Sequence, residues 1–478
     1  MGSRTQAATF GPDNELNAII KSLRLNFPSS IKSPLRQTMA VAPTITSGAT
    51  TSMVANSRSF PLGYSNPLSA VSITGFSPVV AISNSQLLGD NITTNFALDA
   101  FSQSTRRISF IHTGQYFELR FIASANNIFY VKVDGEYESV TPITETLAYR
   151  KYDLGSSATR KIEIIAGGAT TSHVIRNIII GPTDTITKVS PDAIHCIAVG
   201  DSFCANASSF PNSFATALGW SNVWGSGVSG SGYVHTAGDT LPTYGMRLQH
   251  DVIDYEPQVV IFCGSVNDDA YTYAQIYAAA LDVYTRTKSS LPNALIVAFH
   301  TARGGADTET SASIANRAAK KAAAAAAGIM WVDPTEQENE LPYKTGTVVT
   351  TAAAGASLFI IDIPFINEGY GLINQTISLG DDAGGTGERY LVIDVTASGL
   401  NTLVTIAGTL ATEATATDPI TMIGNSYLSG IGRVGATTGI GNSDTLVSSD
   451  GTHPTDPAGY DALGVAVASA LINKIGST

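Results

Sequence analysis

The chain has 478 residues, 44% of them hydrophobic and only 14% charged, with 44 glycines and a formal net charge of −12 at pH 7. This length exceeds one ordinary core and predicts two to four domains. The acidic balance, with no basic run anywhere, argues against a nucleic-acid or anionic-membrane binder, since both need a basic surface. Three cysteines, Cys196, Cys204 and Cys263, suit neither a disulfide framework nor a zinc site, and Cys196 and Cys263 lie in apolar runs that predict small buried hydrophobes. No apolar run reaches about 18 residues, so no membrane-spanning helix is expected.

Residues 1–51 read as an N-terminal arm. The opening MGSRTQAATF lacks the charged-then-apolar order of a secretory signal. Within the arm, Leu16, Ile19, Ile20 and Leu23 fall at helical spacing and predict a short amphipathic helix over 14–25. Such a segment is either a flexible tail or a docking arm. Residues 52–186 read as a β-sandwich accessory domain. The runs 116–122, 128–133, 161–165 and 174–180 are strand-like, and Asp134-Gly135 between alternating runs signals a tight turn.

The period changes from 187 to 342. Short apolar strands are expected at 194–200, 258–263, 294–300 and 329–333, alternating with helices at 208–218, 245–254, 273–289 and 311–327. The last helix is alanine-rich, with Gly328 as its C-cap. This alternation implies a parallel sheet covered on both faces. Residues 343–424 break it: they are rich in Thr, Val, Ile and Gly with no helical pattern, and read as an all-β insertion. Residues 425–478 return the chain to the α/β domain and end in a helix over 456–475.

Four strings carry the chemistry: VGDSF (199–203), GVSGSG (227–232), GSVND (264–268) and DGTHP (450–454). Ser202 follows the first parallel strand, at the carboxyl end where reactive crevices of open α/β sheets lie. A serine hydroxyl needs a base to become a nucleophile. Histidine suits the task because its unperturbed pKa of roughly 6.5 is close to working pH, and His453 is the candidate. Asp450, three residues earlier, can accept the Nδ1 hydrogen and fix the tautomer. Asn267 can aim its side-chain N–H at a developing oxyanion, with the backbone N–H groups of Ser202 and Gly230 as further donors. Gly227 and Gly232 compete with Gly230 for that place. Each string taken alone has a plainer reading. VGDSF is a chance turn, GVSGSG a flexible glycine loop, and DGTHP a His-Pro turn capping the last helix.

Trp224 and Tyr233 flank the glycine loop, and Tyr271 and Tyr273 follow GSVND. They are candidate substrate-stacking residues, or simply packed core. Asp268 and Asp269 read as solvated or structural, and Asp333 as a cap or loop anchor. The other histidines, His112, His173, His195, His235, His250 and His300, read as structural. No cluster calls for a metal or cofactor.

The four strings, in this order, resemble the SGNH (GDSL-type) hydrolases over roughly 190–342 and 425–478. The stretch FELRFIASANNIFYVKVDGEYESV (117–140) resembles part of the jelly-roll domain that precedes the catalytic domain in carbohydrate esterase family two. The resemblance implies a flavodoxin-like three-layer α/β/α hydrolase domain with an N-terminal β-sandwich and an all-β insertion. It implies a serine esterase that needs no cofactor or metal and acts through an acyl-serine. Its catalytic residues would be Ser202, His453 and Asp450, and its oxyanion hole Ser202, Gly230 and Asn267. An O-acetylated polysaccharide is the expected substrate, with no nucleic-acid partner and no membrane insertion. A phage tail-spike or tail-fibre deacetylase of host surface glycan fits the missing signal peptide, the arm and the extra β modules, and would put the chain in a virion tail, with tail proteins or a trimer as partners. An extracellular bacterial esterase is the other setting. A non-catalytic adhesin on a hydrolase scaffold and a lipase or phospholipase are the competing functions. The presence of Ser202, Asn267, Asp450 and His453 together argues against the first, and the lack of an extended apolar lid or membrane-binding helix argues against the second.

Overall fold

The computed structural model describes residues 17, 19–21, 23, 35–61, 72–74, 106–121, 127–166, 175–189, 194–205, 209–236, 241–301, 311–332, 345–363, 375–379, 388–406, 408–425, 431–433, 436–440 and 446–477. Leu16, His173 and Asp333 lie outside the described residues. The fold is mixed α/β.

Residues 17, 19–21 and 23 are helical. Leu23 is fully buried, and Ile19 and Ile20 pack against the same core, so the apolar stripe of the arm is used within the molecule. Strands between 44 and 188 join in one ten-stranded sheet. Its longest members, Arg106–Phe121 and Tyr149–Ala166, run antiparallel with a bulge between Gly114 and Tyr116. Alternate residues Phe117, Leu119 and Phe121 point into a core shared with Phe129, Val131, Tyr152 and Ile164. The expected turn is present: Asp134 and Gly135 both take positive φ, 52° and 93°, the pairing that a two-residue hairpin demands.

The parallel sheet has five strands, β1 (Cys196–Gly200), β2 (Val223–Gly227), β3 (Val259–Cys263), β4 (Leu295–Phe299) and β5 (Met330–Trp331). Their order is β2-β1-β3-β4-β5, and every pair is parallel. The central strands are buried on both faces. Cys196, Ala198, Ile261 and Val297 face a core with Phe210, Phe214, Leu463 and Leu471. Ile197, Val199, Val260 and Ile296 face another with Leu248, Val283, Tyr284 and Ala323. The helices that supply these residues are α1 (Phe210–Leu218), α2 (Tyr244–Asp251), α3 (Tyr273–Ser290), α4 (Ser311–Ala327) and α5 (Ala458–Ser477).

Local sequence explains the helix ends. Thr272 and Gln275 form a capping box at the start of α3. Gly219 ends α1 in the left-handed region, and Gly328, as expected, follows α4 with φ +64°. The strand β2 is not among the expected strands. Its VWGSG shows no apolar alternation, because an edge strand rich in glycine has no side-chain pattern to display.

The stretch beyond β5 is β-structured, as expected. Six strands between 345 and 425 form one antiparallel sheet. Its buried Val348, Phe359, Ile361 and Val404 belong to one continuous core with residues of the parallel sheet.

Candidate active site

Strand β1 ends at Gly200, and the chain turns at once. Asp201 caps a short 3-10 turn over Ser202–Cys204, its Oδ1 accepting the Phe203 N–H at 3.0 Å. Carbonyl Asp201 O accepts Cys204 N–H and Ser202 O accepts Ala205 N–H, which fixes the backbone of Ser202. The turn is seated against β2. A Cβ at Gly227 would lie 2.4 Å from the carbonyl carbon of Cys204, so only glycine admits this approach. From below, the fully buried guanidinium of Arg247 donates to Gly200 O at 2.7 Å and to Ser226 O at 2.7 Å.

His453 comes from 251 residues away and places Nε2 2.7 Å from Ser202 Oγ. Its Nδ1 lies 2.6 Å from Asp450 Oδ2. With the carboxylate accepting Nδ1–H, Nε2 is left as the acceptor of the serine proton. Asp450 is itself held in place: its Oδ1 accepts from Ser448 Oγ, Thr452 N and His453 N at 2.7, 2.8 and 3.0 Å. Partial burial alone would raise the Asp450 carboxyl, but the hydrogen bonds from His453, Ser448 and Thr452 outweigh it and hold the group well below the usual carboxylate range.

Two further loops meet beside Ser202. Asn267 follows β3 in a short 3-10 turn capped by Ser265. Its Nδ2 donates to Ser231 O at 2.9 Å and makes a longer bond, 3.3 Å, to Asp201 Oδ2. Ser265 Oγ donates to the same Ser231 O at 2.9 Å and accepts from Asn267 N at 3.1 Å. The three candidate glycines differ in their surroundings. Gly227 is buried under the nucleophile turn, and the N–H of Gly232 is committed to His235 O. Gly230 is partly exposed with φ +78°, and no described residue accepts its N–H.

Asp268 has the role of brace. It is fully buried and accepts the successive N–H groups of Tyr233, Val234 and His235, each at 3.0 Å. Asp269 accepts from Asn316 Nδ2 at 2.7 Å. His235, read as merely structural, stands within the site loop, with Nδ1 2.6 Å from Gly230 O and its ring edge-on to Tyr271. Of the aromatic candidates, Tyr271 therefore stays beside the loop that carries Gly230. Two do not. Tyr233 is buried and bonds Tyr284 through its hydroxyl at 2.7 Å. Trp224 packs against His195 and Tyr255 at the start of β2, about 10 Å along the strand from Gly227. Neighbourhood in sequence suggested both, but the direction of the strand and of the following loop sends them into packing contacts.

Sequence reading also missed a buried cation behind the site. Lys320 of α4 sends Nζ to Gly264 O, Ser265 O and His300 Nδ1, each at 3.1 Å. Burial pushes this amine down to about 8, against the opposing pull of Asp268, Asp201 and Asp269. Burial also raises the Asp201 carboxyl, opposed by the Phe203 N–H, by Ser265 and by the Lys320 charge. No signal for Lys320 exists in the sequence beyond a lysine on the apolar side of an alanine-rich helix. Among the described residues, no group of His, Cys, Asp and Glu side chains could hold a metal ion.

No family model matches the sequence, and no curated protein matches it. Solved structures are similar to it. A family two carbohydrate esterase from Cellvibrio japonicus is 13% identical, with a TM-score of 0.44 over 59% of this chain and 91% of that one. A salicylyl-acyltransferase from a tetracycline biosynthetic pathway is 13% identical, with a TM-score of 0.44 over 59% and 86%. A family two carbohydrate esterase from Clostridium thermocellum, in complex with cellohexaose, is 14% identical, with a TM-score of 0.40 over 48% and 82%.

Proposed function

We propose that this chain is a serine esterase that removes acyl groups, foremost O-acetyl groups, from a polysaccharide through an acyl-serine intermediate. The observation that carries the reading is the line Ser202 Oγ, His453 Nε2, His453 Nδ1, Asp450 Oδ2, closed by contacts of 2.7 and 2.6 Å. Three residue types of the right chemistry meet in the right order, although 251 residues separate the hydroxyl from the imidazole.

The steps follow from that line. His453 Nε2 takes the proton of Ser202 as Oγ attacks the ester carbonyl carbon. The carbonyl oxygen becomes an oxyanion, received by the N–H groups of Ser202 and Gly230 and by Asn267 Nδ2. Asp450 stabilises the imidazolium and keeps its tautomer. The C–O bond to the sugar then breaks, and the imidazolium gives its proton to the departing alkoxide. Water attacks the acyl-serine, losing a proton to His453. The acid is released and Ser202 Oγ regains its proton.

The partly exposed Tyr271 packs on His235, whose Nδ1 lies 2.6 Å from Gly230 O. Exposed aromatics offer a face to sugar rings. We assign the hydrolase unit to 187–342 and 425–478, the accessory β domain to 52–186 and the insertion to 343–424, on the changes of sequence period. A flavodoxin-like layering for the former and a jelly roll for the accessory domain belong to the same reading. The setting we favour is a virion tail or the extracellular space, on the strength of composition and the additional β modules.

The deciding experiment measures acetate released from a panel of O-acetylated polysaccharides, with Ser202→Ala as control. Release from at least one polymer, abolished by Ser202→Ala in a folded protein, is the expected result. Release that survives this substitution removes Ser202 as nucleophile. Failure on every acetylated polymer and on small acetate esters removes the esterase reading, and leaves a non-catalytic adhesin. Preference for long-chain esters over acetates assigns a lipase instead.

A further inference from the structure

The acid and base sit on one hairpin. Val447 bridges Pro454. Ser448 N donates to His453 O at 2.8 Å, and Thr455 N donates to Leu446 O at 2.8 Å. The hairpin is therefore stiff in itself, and its aim at Ser202 depends on how its base is held. That base is the junction Asp456–Pro457 before α5.

Two residues from the N-terminal side of the chain grip this junction. The Tyr130 hydroxyl donates to Asp456 Oδ1 at 3.0 Å. Arg36, only 3% exposed, lies with Nε 2.9 Å from Asp461 Oδ1 and Nη1 3.7 Å from Asp456 Oδ1. Its guanidinium also donates to Ser213 Oγ of α1 at 3.3 Å and to Val140 O at 3.5 Å. It packs over the rings of Tyr130 and Tyr137 at 4.9 and 5.8 Å. Thus a single planar cation ties the ten-stranded sheet, α1 and the root of the hairpin together.

A buried ion pair adds little net stability compared with apolar packing, and its best-attested use is to fix register. Asp456 and Asp461, at the beginning of α5, already have a favourable helix dipole. They do not need a partner from another sheet merely to start the helix. We infer that Arg36 and Tyr130 are positioning residues for His453, so that the N-terminal sheet and the segment before it set the geometry of the acid–base hairpin as well as any contact with polymer. The inference rests on the esterase reading for its kinetic consequence, and on the geometry alone for its mechanical one. A misplacement of about 1 Å at a catalytic group can cost as much as 10²-fold in rate.

The test uses the full chain and p-nitrophenyl acetate, a substrate too small to reach a glycan-binding surface. Kinetics and amide hydrogen exchange are measured for wild type, Arg36→Met, Arg36→Lys and Tyr130→Phe, at a temperature where each remains folded. The expected result is a kcat lowered about tenfold or more in Arg36→Met, with KM within about twofold. Arg36→Lys recovers part of the loss, and Tyr130→Phe, which loses a single hydrogen bond, shows a smaller fall in the same direction. Exchange rises over 446–457, while 228–235 keeps its protection. A kcat within about twofold of wild type in both Arg36→Met and Tyr130→Phe, or exchange that is unchanged or raised uniformly, overturns the inference. If wild type does not hydrolyse the ester and the hairpin alone loosens in the variants, the esterase reading fails while the mechanical role stands.

Discussion

Asn267 Nδ2 lies 3.3 Å from Asp201 Oδ2, the carboxylate of the residue just before Ser202. The other hydrogen of the same amide is held more tightly, on Ser231 O at 2.9 Å. The two loops that flank the nucleophile are thus locked through one side chain. The longer of its bonds is the one that an oxyanion above Ser202 can displace. Removing the amide loses that donor in the transition state. Asn267→Ala is expected to lower kcat for acetate esters by roughly 10²–10³, about 3–4 kcal/mol, with a small change in KM. An effect below about threefold takes Asn267 out of the oxyanion hole.

Asp268 acts one step further out. Three successive backbone N–H groups converge on its buried carboxylate, and they shape the loop that presents Gly230. Asp268→Asn replaces one acceptor oxygen by a donor, which then faces N–H groups. The expected cost is about 2–4 kcal/mol of stability, from lost charge-assisted bonds and unsatisfied buried donors. A fall in kcat beyond tenfold accompanies it. Urea unfolding and ester kinetics on the same preparations check both, and an unchanged kcat in a destabilised variant confines Asp268 to folding.

The acid limb of the activity profile has a definite form. A histidine base works only when neutral, so turnover falls as pH drops into the acid range. The Asp450 carboxyl, held low by His453, Ser448 and Thr452 against its partial burial, stays ionised throughout that range. One proton should therefore account for the limb, with log kcat/KM falling by one for each pH unit. The stabilisation carried by Asp450 follows the same sign: it is present above the ordinary carboxylate range and is lost only as pH falls toward its depressed folded value. A limb of slope two, or a flat profile from pH 5 to 8, contradicts the assignment.

What sequence could reveal depended on distance along the chain. The four strings were legible because three of them follow a strand end and the fourth makes the turn before α5, places where side-chain type and local spacing suffice. Gly328 after α4 was legible for the same reason. The strand β2 was not, since Gly225 and Gly227 leave no alternating pattern. Trp224 and Tyr233 take the packed alternative, since adjacency to a motif does not say whether a ring turns toward the site or away from it. Arg36, Arg247 and Lys320 were invisible, for their partners at Asp461, Gly200 and Gly264 lie 425, 47 and 56 residues away. A buried cation has no periodicity, and its partners exist only after folding.

Lys320 yields a prediction whose sign runs against habit. Its amine is buried beneath the loop that carries Asn267, donating to Gly264 O and Ser265 O. Burial, opposed by Asp268, Asp201 and Asp269, lowers it to about 8, below the ordinary lysine value of roughly 10.4. Between these values the unfolded chain binds a proton that the folded chain does not. Protons there favour unfolding, so the contribution of Lys320 to stability rises as pH increases through the window. Lys320→Met has no such group. The stability of wild type relative to this variant should therefore increase from pH 7.5 to pH 10, by up to about 3 kcal/mol. Urea unfolding of both proteins at the two pH values measures the difference. A gap that stays constant, or narrows, shows that the amine keeps an ordinary affinity for its proton and that the carboxylates Asp201 and Asp268 fully offset its burial.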